Sequence, residues 1–450
     1  MLVSKYRAAA GTVAIGYVLG FILRLFSNLV LTRLLLPEAF GVMLLLVSCL
    51  TVVTLFTDVG ITPSLLRHSD PSEPSFRGTL WSLQIIQGVA SACIVISFAV
   101  ALHLLQATNG LAKESVYSTQ GLPLMLGISA LSCVITGFRS MKFALAQKFF
   151  QQGVLIRNEL ICQAFSICLI CSLAWYTGSV WAFVVGMLAT QSLAAILSHT
   201  CLPGPKDLIR WEARIIKHEW PFARWIWISS TVGVLAAQAD KLLMSAILSS
   251  STLGLYAVAV GLIGAVEAGL SKVIAAIGLP MLTELQRASN DMFKARFQRI
   301  STIVEYLSFV SIGMFITCGP ALVKVLYPPA FQQSGYFLSL MAFSLASVRC
   351  TLSTQLYLAQ DHSKFQAVYS VTKCCFGLVA ISSCYYFFGL SGAIVGVSLQ
   401  AILSLLLAVV LEQKLGIQFR PAVFLRWVLS FAIGASIGFG LSEVSHLLIR

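Results

Sequence analysis

Charge is what this sequence has least of. Asp and Glu number only 17, and the four charged residue types make up 10% of the 450 residues, against about 25% in an ordinary soluble domain. A chain with so few charges, a hydrophobic content of 58% and a mean hydropathy of +0.88 would not stay in solution. The composition therefore excludes a soluble enzyme with a large core and predicts a polytopic membrane protein.

The sequence also lacks long polar segments and the common metal-binding and nucleic-acid-binding motifs. Its six histidines show no HxxxH or HExxH spacing. Cys168 and Cys171 have a C-x-x-C spacing, but they lie in an apolar stretch without a second pair. We therefore expect no metal site, no cofactor and no nucleic-acid partner, and we expect the twelve cysteines to serve ordinary packing. Any function must lie among the apolar spans and their short loops.

Long apolar runs are what the sequence has instead. At roughly 20 residues per span, the candidate transmembrane helices are 12–35, 40–63, 79–105, 121–141, 158–177, 180–200, 225–248, 253–280, 301–326, 335–359, 366–388, 391–412 and 424–441. Basic residues fall on alternate turns, which the positive-inside rule makes cytoplasmic. The N-terminus is therefore predicted to be cytoplasmic. Whether the last segment spans the membrane, and on which side the C-terminus lies, is left open by this pattern.

The chain also resembles two copies of one unit. Residues 12–60 align with 225–273, and both copies contain a polar span, a tight turn, a glycine and a second span. The most charged interior stretch, Lys206 to Arg224, separates two blocks of six spans. We predict an all-α protein with an N-terminal six-helix lobe (1–202), a cytoplasmic connector (203–224), a C-terminal six-helix lobe (225–413) and an additional hydrophobic helix with its tail (414–450). The lobes would be related by a pseudo-two-fold axis around a central cleft, as in a transporter.

Several short motifs carry a family resemblance. They are Leu-Leu-Pro-Glu-Ala-Phe-Gly at 35–41, Asp-Val-Gly-Ile at 58–61, Leu-Leu-Arg at 65–67, Gln-Ala-Asp-Lys-Leu-Leu at 238–243, Leu-Gly-Leu-Tyr at 253–256 and Leu-Tyr-Pro-Pro at 326–329. Together with the segment from Arg24 to Asn28, they resemble Wzx-type polysaccharide flippases of the multidrug/oligosaccharidyl-lipid/polysaccharide exporter superfamily. The resemblance covers about residues 1–415. Members of the family have twelve or fourteen helices, so a thirteenth span departs from the pattern.

The resemblance implies a non-enzymatic flippase of the bacterial inner membrane. Such a protein moves an undecaprenyl-pyrophosphate-linked oligosaccharide to the outer face for surface polysaccharide biosynthesis, by alternating access of two lobes. The implied partners are the lipid-linked oligosaccharide, membrane lipids, and a polysaccharide polymerase and chain-length regulator. A diphosphate cannot cross hydrocarbon alone, because an isolated charge there costs tens of kcal/mol. The cleft must therefore supply polar and positive groups.

Polar residues inside apolar spans are the candidates for these groups. Arg24 and Asn28 lie one helical turn apart in the first span, and an arginine in mid-span costs about 2.5 to 3.5 kcal/mol on insertion scales unless it faces protein or water. Lys241, Arg349 and Lys373 occupy comparable positions in the second half. For Arg24 and Arg349 the alternative is a structural ion pair. For Lys373 it is snorkelling towards the membrane surface, and Lys241 could be paired with Asp240.

Coupling to an ion gradient would require a carboxylate in a span. Glu267 is the first candidate, followed by Asp58 and Asp240, and for each the alternative is a structural carboxylate with satisfied hydrogen bonds. Gly434, Gly438 and Gly440 lie in the last apolar segment, where small residues permit close helix packing.

Two other functions remain open at this stage. A multidrug or small-molecule exporter of the same fold would favour acidic and aromatic groups in its cavity over basic ones. A membrane-embedded polysaccharide polymerase or ligase would be expected to carry a long outer loop with charged catalytic groups, which this sequence lacks.

Overall fold

The computed structural model describes residues 2–68, 70, 73–108, 115–149, 151–285, 290–359, 363–417 and 422–449. The regular structure in these ranges is helical, without strands. The helices are α1 (Leu2–Leu34), α2 (Pro37–Phe56), α3 (Ile61–Arg67), α4 (Pro74–Ala107), α5 (Leu122–Ser129), α6 (Leu131–Gly137), α7 (Lys142–Lys148), α8 (Gln152–Thr177), α9 (Trp181–Thr200), α10 (Ala213–Ile247), α11 (Ser250–Leu285), α12 (Asn290–Leu326), α13 (Gln333–Met341), α14 (Ser347–Ala359), α15 (Ser363–Lys414) and α16 (Ala422–Ile449). The all-α prediction is confirmed.

Nine helices in the described part of the chain are long and apolar enough to cross a membrane. The bent pair of Leu122–Gly137 and Lys142–Lys148 raises the number to ten if it forms one span. One of the nine, α15, is interrupted at Gly389, whose φ is +62°, and so covers two predicted spans. Helices α1 and α10 cover the first and seventh predicted spans. The chain is therefore a multi-pass membrane protein.

Two predicted spans are less regular than the sequence suggested. The predicted helix 121–141 is divided into α5 and α6 and ends before a bend of 58°. The predicted helix 335–359 consists of α13, a 3₁₀ turn at Ala342–Ala346 and α14. Hydropathy cannot reveal such breaks, because it reports the apolar character of a run and not its hydrogen-bond pattern.

The chain divides into two compact units. The first contains Met1–Val234 and Ser245–Ser250, and the second contains Leu235–Met244 and Ser251–Arg450. Residues 203–212 of the predicted connector are not helical, whereas residues 213–224 form the beginning of α10. The predicted lobe boundaries at 202 and 225 remain predictions.

Close packing of α4 on α6 shapes the interior of the first unit. A Cβ atom on Gly88 would lie 2.6 Å from the backbone oxygen of Cys133 and 3.0 Å from the Cα of Gly137. Only glycine permits this separation of the two helices. The turn that follows α6 is thereby held close to α4.

The last apolar segment forms the 28-residue helix α16, which packs along α12 in the second unit. A Cβ atom on Gly434 would meet the backbone oxygen of Val310 at 2.1 Å, so these helices touch through their backbones. The part of α16 from Val423 to Glu443 is long and apolar enough to span a membrane. Residues 418–421 and 450 of the predicted segment 414–450 lie outside the described residues.

Candidate functional site

Arg24 is an exposed cation in the middle of an apolar helix. Its guanidinium lies 3.5 Å from a carboxylate oxygen of Glu159 on α8, and both side chains are 64% exposed. Asn28, one turn further along α1, is half-buried, and its Oδ1 has no hydrogen-bond partner among the described residues. The guanidinium of Arg24 is therefore left largely uncovered by the described chain, whereas the Oδ1 of Asn28 is buried without a partner.

A cavity of about 220 Å³ lies inside the first unit, between α2, α3, α4, α6 and the turn after α6. More than half of its lining residues have polar side chains, although the surrounding helices are apolar. These are Thr54, Asp58, Thr62, Gln84, Gln87, Ser91, Thr136, Arg139 and Ser140. Such a lining favours a polar occupant.

Asp58, predicted as a coupling residue, lies on the wall of this cavity. Its Oδ1 accepts a hydrogen bond of 2.9 Å from the amide of Gly60. Gly60 has φ +72°, in the left-handed region that glycine adopts most readily. Asp58 thus shapes the turn between α2 and α3 while it faces the cavity, and its role in coupling stays a prediction.

Arg139 supplies the cationic group of the cavity. Its guanidinium lies 4.5 Å from the ring centroid of Phe143, and its Nε has no hydrogen-bond partner in the described part of the chain. The side-chain amide of Gln84 donates to the carbonyl oxygens of Gly137 and Arg139, each at 2.9 Å. These bonds orient the turn that carries Arg139.

A buried ion pair attaches the connector to the first unit beside this cavity. Arg77 Nε lies 3.2 Å from Asp207 Oδ1, and the two side chains are 3% and 0% exposed. Arg77 also donates to the carbonyl oxygen of Lys206 at 2.8 Å. The hydroxyl of Ser140, a lining residue of the cavity, donates to the other Asp207 oxygen. Because two buried side chains hold Asp207, this part of the connector is a packed segment and not a free linker.

Arg349 lies at the centre of a buried network in the second unit. Its Nη1 and Nη2 donate to the two carboxylate oxygens of Glu412 at 3.0 and 2.8 Å, and its Nε donates to Glu305 at 3.1 Å. Ser353 and Ser301 each donate to one of these carboxylates at 2.7 Å. All three charged side chains are more than nine-tenths buried.

This geometry corresponds to the structural ion pair considered for Arg349 in the sequence analysis. A buried guanidinium requires such compensation, because a charge removed from water is costly unless paired and hydrogen-bonded. The network joins α12, α14 and α15. A substrate-binding role for Arg349 would require these bonds to open and stays a prediction.

Lys241 and Asp240 have partners close to them. Lys241 Nζ donates to Gln238 Oε1 and to the carbonyl oxygen of Ala237, both at 3.0 Å, and lies 4.0 Å from Asp240. The hydroxyl of the buried Tyr256 donates to Asp240 at 3.2 Å. The pairing considered for Lys241 and Asp240 is therefore present at the edge of ion-pair distance.

Glu267 and Lys373 are both half-buried. Glu267 on α11 accepts a hydrogen bond of 2.7 Å from Ser347, two residues before Arg349. The backbone oxygen of Lys373 accepts a bond of 3.2 Å from Gln400. Within the second unit Glu267 thus contacts the helix that carries Arg349, whereas in the first unit Arg24 and Asn28 are not lining residues of the cavity that contains Asp58.

The site residues predicted from the sequence do not include Glu159, Arg139, Glu305 or Glu412. Glu267 was selected because it lies in the middle of a predicted span, whereas Glu305 and Glu412 lie near the ends of theirs. Arg139 was counted among the topological cations of a cytoplasmic turn. Over the described residues, no three His, Cys, Asp or Glu side chains form a group that could hold a metal ion.

Comparisons with known proteins agree with this architecture. A family model described as polysaccharide biosynthesis protein matches residues 30–335, whereas no curated protein sequence matches the chain. An inward-facing multidrug resistance MATE family transporter of the MOP superfamily is similar in structure, with a TM-score of 0.67 at 9% identity over 88% of this chain and 94% of that one.

Two further structures share the fold. The lipid II flippase MurJ, in an inward closed conformation, has a TM-score of 0.65 at 11% identity and covers 98% of this chain and 100% of its own. The Vibrio cholerae MATE transporter VcmN has a TM-score of 0.58 at 12% identity over 92% and 96%. At these identities the likeness establishes the fold alone, which is that of MOP superfamily transporters.

Proposed function

Because the chain belongs to the polysaccharide biosynthesis protein family, we propose that it is a flippase of lipid-linked oligosaccharide. It would carry an undecaprenyl-pyrophosphate-linked oligosaccharide across the bacterial inner membrane by alternating access, with its N-terminus in the cytoplasm and without enzymatic chemistry. A polysaccharide polymerase and a chain-length regulator would then act on the exported units.

The observation that carries this proposal is the exposed guanidinium of Arg24. An arginine that is 64% exposed in the middle of an apolar helix must face water or a polar ligand, because facing lipid would cost several kcal/mol. Its ion pair with Glu159 is long and exposed, so a diphosphate could replace Glu159 at low cost. Asn28 adds an amide on the same helical face.

The chemistry of the cargo requires such a group. Guanidinium groups bind phosphate oxygens with two parallel hydrogen bonds, and each charge-assisted bond contributes about 1.5 to 3 kcal/mol. The polyprenyl tail needs no protein passage, because it is soluble in the bilayer. We propose that Arg24 holds the diphosphate while the tail stays in lipid.

Substitution of Arg24 tests the proposal in cells. Arg24→Ala should abolish export of surface polysaccharide at normal protein levels, whereas Arg24→Lys should retain part of it if charge alone matters. Arg33→Ala is the matched control, because Arg33 is an exposed arginine near the end of the same helix. Normal export by the Arg24→Ala variant would defeat the proposal.

A small-molecule exporter of the same fold is the second candidate, and the likeness to MATE transporters favours it as far as the fold goes. It predicts that cells with the protein resist cationic drugs and that Arg24→Ala leaves this resistance unchanged. Resistance without any defect in polysaccharide export would favour this function.

A further inference from the structure

We propose that the cavity in the first unit binds one neutral sugar ring of the cargo and selects which oligosaccharides are carried. This inference rests on the proposed function, because it concerns the same lipid-linked substrate. It assigns the sugar to a place separate from the diphosphate at Arg24, which is not among the lining residues of the cavity.

The charge of the cavity favours a neutral ligand. Its described lining includes one carboxylate, Asp58, and one guanidinium, Arg139, so the formal charges cancel. A diphosphate carries at least two negative charges and would meet no excess of positive charge there. A neutral polyol needs no such excess.

The free hydrogen-bonding groups of the lining suit hydroxyl groups. Gln84, Ser91 and Ser140 use their side chains on protein partners. By contrast, the side chains of Gln87 and Thr62 make no hydrogen bond to any described residue. An amide both donates and accepts, as does a hydroxyl. Sugar hydroxyls, which also do both, are matched by these two groups.

The apolar part of the lining completes the match. Phe143 lines the same cavity and is half-buried, so its ring can cover the C–H face of a pyranose, in the way that small-molecule sites combine apolar walls with a few polar groups. A smaller ion would leave this ring without a contact.

The size of the cavity limits the ligand to about one ring. Its volume of about 220 Å³ is below the range of roughly 300 to 1,000 Å³ that holds drug-sized ligands. A whole oligosaccharide does not fit, so the remaining sugars of the cargo would lie outside the cavity.

Saturation-transfer NMR on the purified, detergent-solubilised protein tests this site without transport. The probes are the methyl glycosides of glucose, galactose, N-acetylglucosamine and glucuronic acid. At least one neutral glycoside should receive saturation, and the anionic glucuronide should receive less. Gln87→Leu should weaken binding of the neutral glycoside about tenfold, since one hydrogen bond is lost and a polar group is left unmatched.

Two further variants complete the design. Thr62→Ala should weaken binding in the same direction, and it provides a second reading if Gln87→Leu fails to fold. Gln120→Leu, at an exposed glutamine of the same unit that does not line the cavity, should bind like the wild type. The proposal is overturned if no neutral glycoside is bound, if the glucuronide binds best, or if both cavity variants bind like the wild type.

Polysaccharide export by the Gln87→Leu variant links the site to the cargo. We expect reduced export at normal protein levels, and unchanged export would overturn the assignment to the cargo. A failure of the proposed function would give a different pattern. Cells with the Arg24→Ala variant would then export polysaccharide normally, while the purified protein would still bind a neutral glycoside at the cavity.

Discussion

Two arginines in apolar helices have opposite environments in this protein. Arg349 directs three of its nitrogens to carboxylates and is almost completely buried, whereas Arg24 makes one long contact in an exposed position. The same cost of burying charge explains both. Arg349 is compensated by protein, and Arg24 is left for water or a ligand.

The network around Arg349 makes a prediction about stability. Arg349→Ala should lower the free energy of unfolding by about 3 to 5 kcal/mol, because two buried carboxylates lose their partner. Glu412→Ala should cost more than Glu305→Ala, since Glu412 accepts two bonds from the guanidinium and Glu305 accepts one. Thermal unfolding of the purified variants, read by size-exclusion chromatography, measures this order.

Arg33→Ala is the control for that series and should unfold like the wild type, because its exposed side chain loses only solvent contacts. If the Glu305 and Glu412 variants were both as stable as this control, the ion pairs of Arg349 would not contribute to the free energy of unfolding.

Sequence reasoning located Arg349 but could not supply its partners. Glu305 is 44 positions before it and Glu412 is 63 positions after it, and a single sequence contains no signal that pairs residues so far apart. The pairing of Lys241 with Asp240 was foreseeable, because the two residues are adjacent. Chain separation therefore decided which contacts could be predicted.

At the scale of helices, glycines decide how closely elements pack. The sequence predicted the same role, close helix packing, for Gly434, Gly438 and Gly440. In the structure the first two contact α12, whereas a Cβ atom on Gly440 would meet nothing within 4 Å. Periodicity could not separate them, because the neighbouring helix was unknown.

This difference predicts opposite effects of the same substitution on one helix. Gly434→Ala should destabilise the protein, because the new Cβ atom would lie 2.1 Å from the backbone oxygen of Val310, which cannot move aside as a side chain could. Gly440→Ala should be neutral or stabilising by up to about 1 kcal/mol, from the higher helix propensity of alanine. The unfolding temperatures of the two variants measure the contrast, and equal temperatures would contradict the packing of α16.

The buried ion pair of Asp207 fixes the first part of the connector to the first unit. Asp207→Ala should release residues 203–212, because Arg77 would lose its buried partner at a cost of about 3 to 5 kcal/mol. Trypsin should then cleave after Lys206 and Arg210 faster than in the wild type. The control is Glu212→Gln, at an exposed residue of the same segment. Equal cleavage rates in both variants would show that the ion pair does not hold the segment.

For the whole molecule, hydropathy was sufficient to predict a polytopic membrane protein. It did not predict the breaks within the helices or the packing of the connector. The scarcity of charge predicted a polytopic helical protein, and the quoted motifs predicted the family to which it belongs. The breaks at 130 and 342–346 and the docking of the connector depend on hydrogen bonds between distant segments. Neither property is encoded in the apolar pattern of a single run.

The cavity in the first unit shows the same limit. Each of its polar residues is unremarkable in the sequence, because Gln84, Gln87 and Ser91 lie in a long helix and Arg139 lies in a basic turn. Their convergence depends on the close contact of Gly88 with Gly137. Asp58 was predicted as a coupling carboxylate, and only the folded structure shows that it lines this cavity.

Translocation in proteoliposomes measures whether the protein flips lipid-linked oligosaccharide and whether Arg24 is required. The purified protein is reconstituted into liposomes with lipid-linked oligosaccharide that is extracted from cells depleted of the protein. The amount of oligosaccharide that becomes accessible to an external glycosidase is then followed over time. We expect rapid exposure by the wild type and the Arg33→Ala variant, and a rate reduced by at least about tenfold for Arg24→Ala, because the diphosphate loses a charge-assisted hydrogen bond. Exposure by the wild type no faster than in protein-free liposomes, or equal rates for wild type and Arg24→Ala, would contradict it.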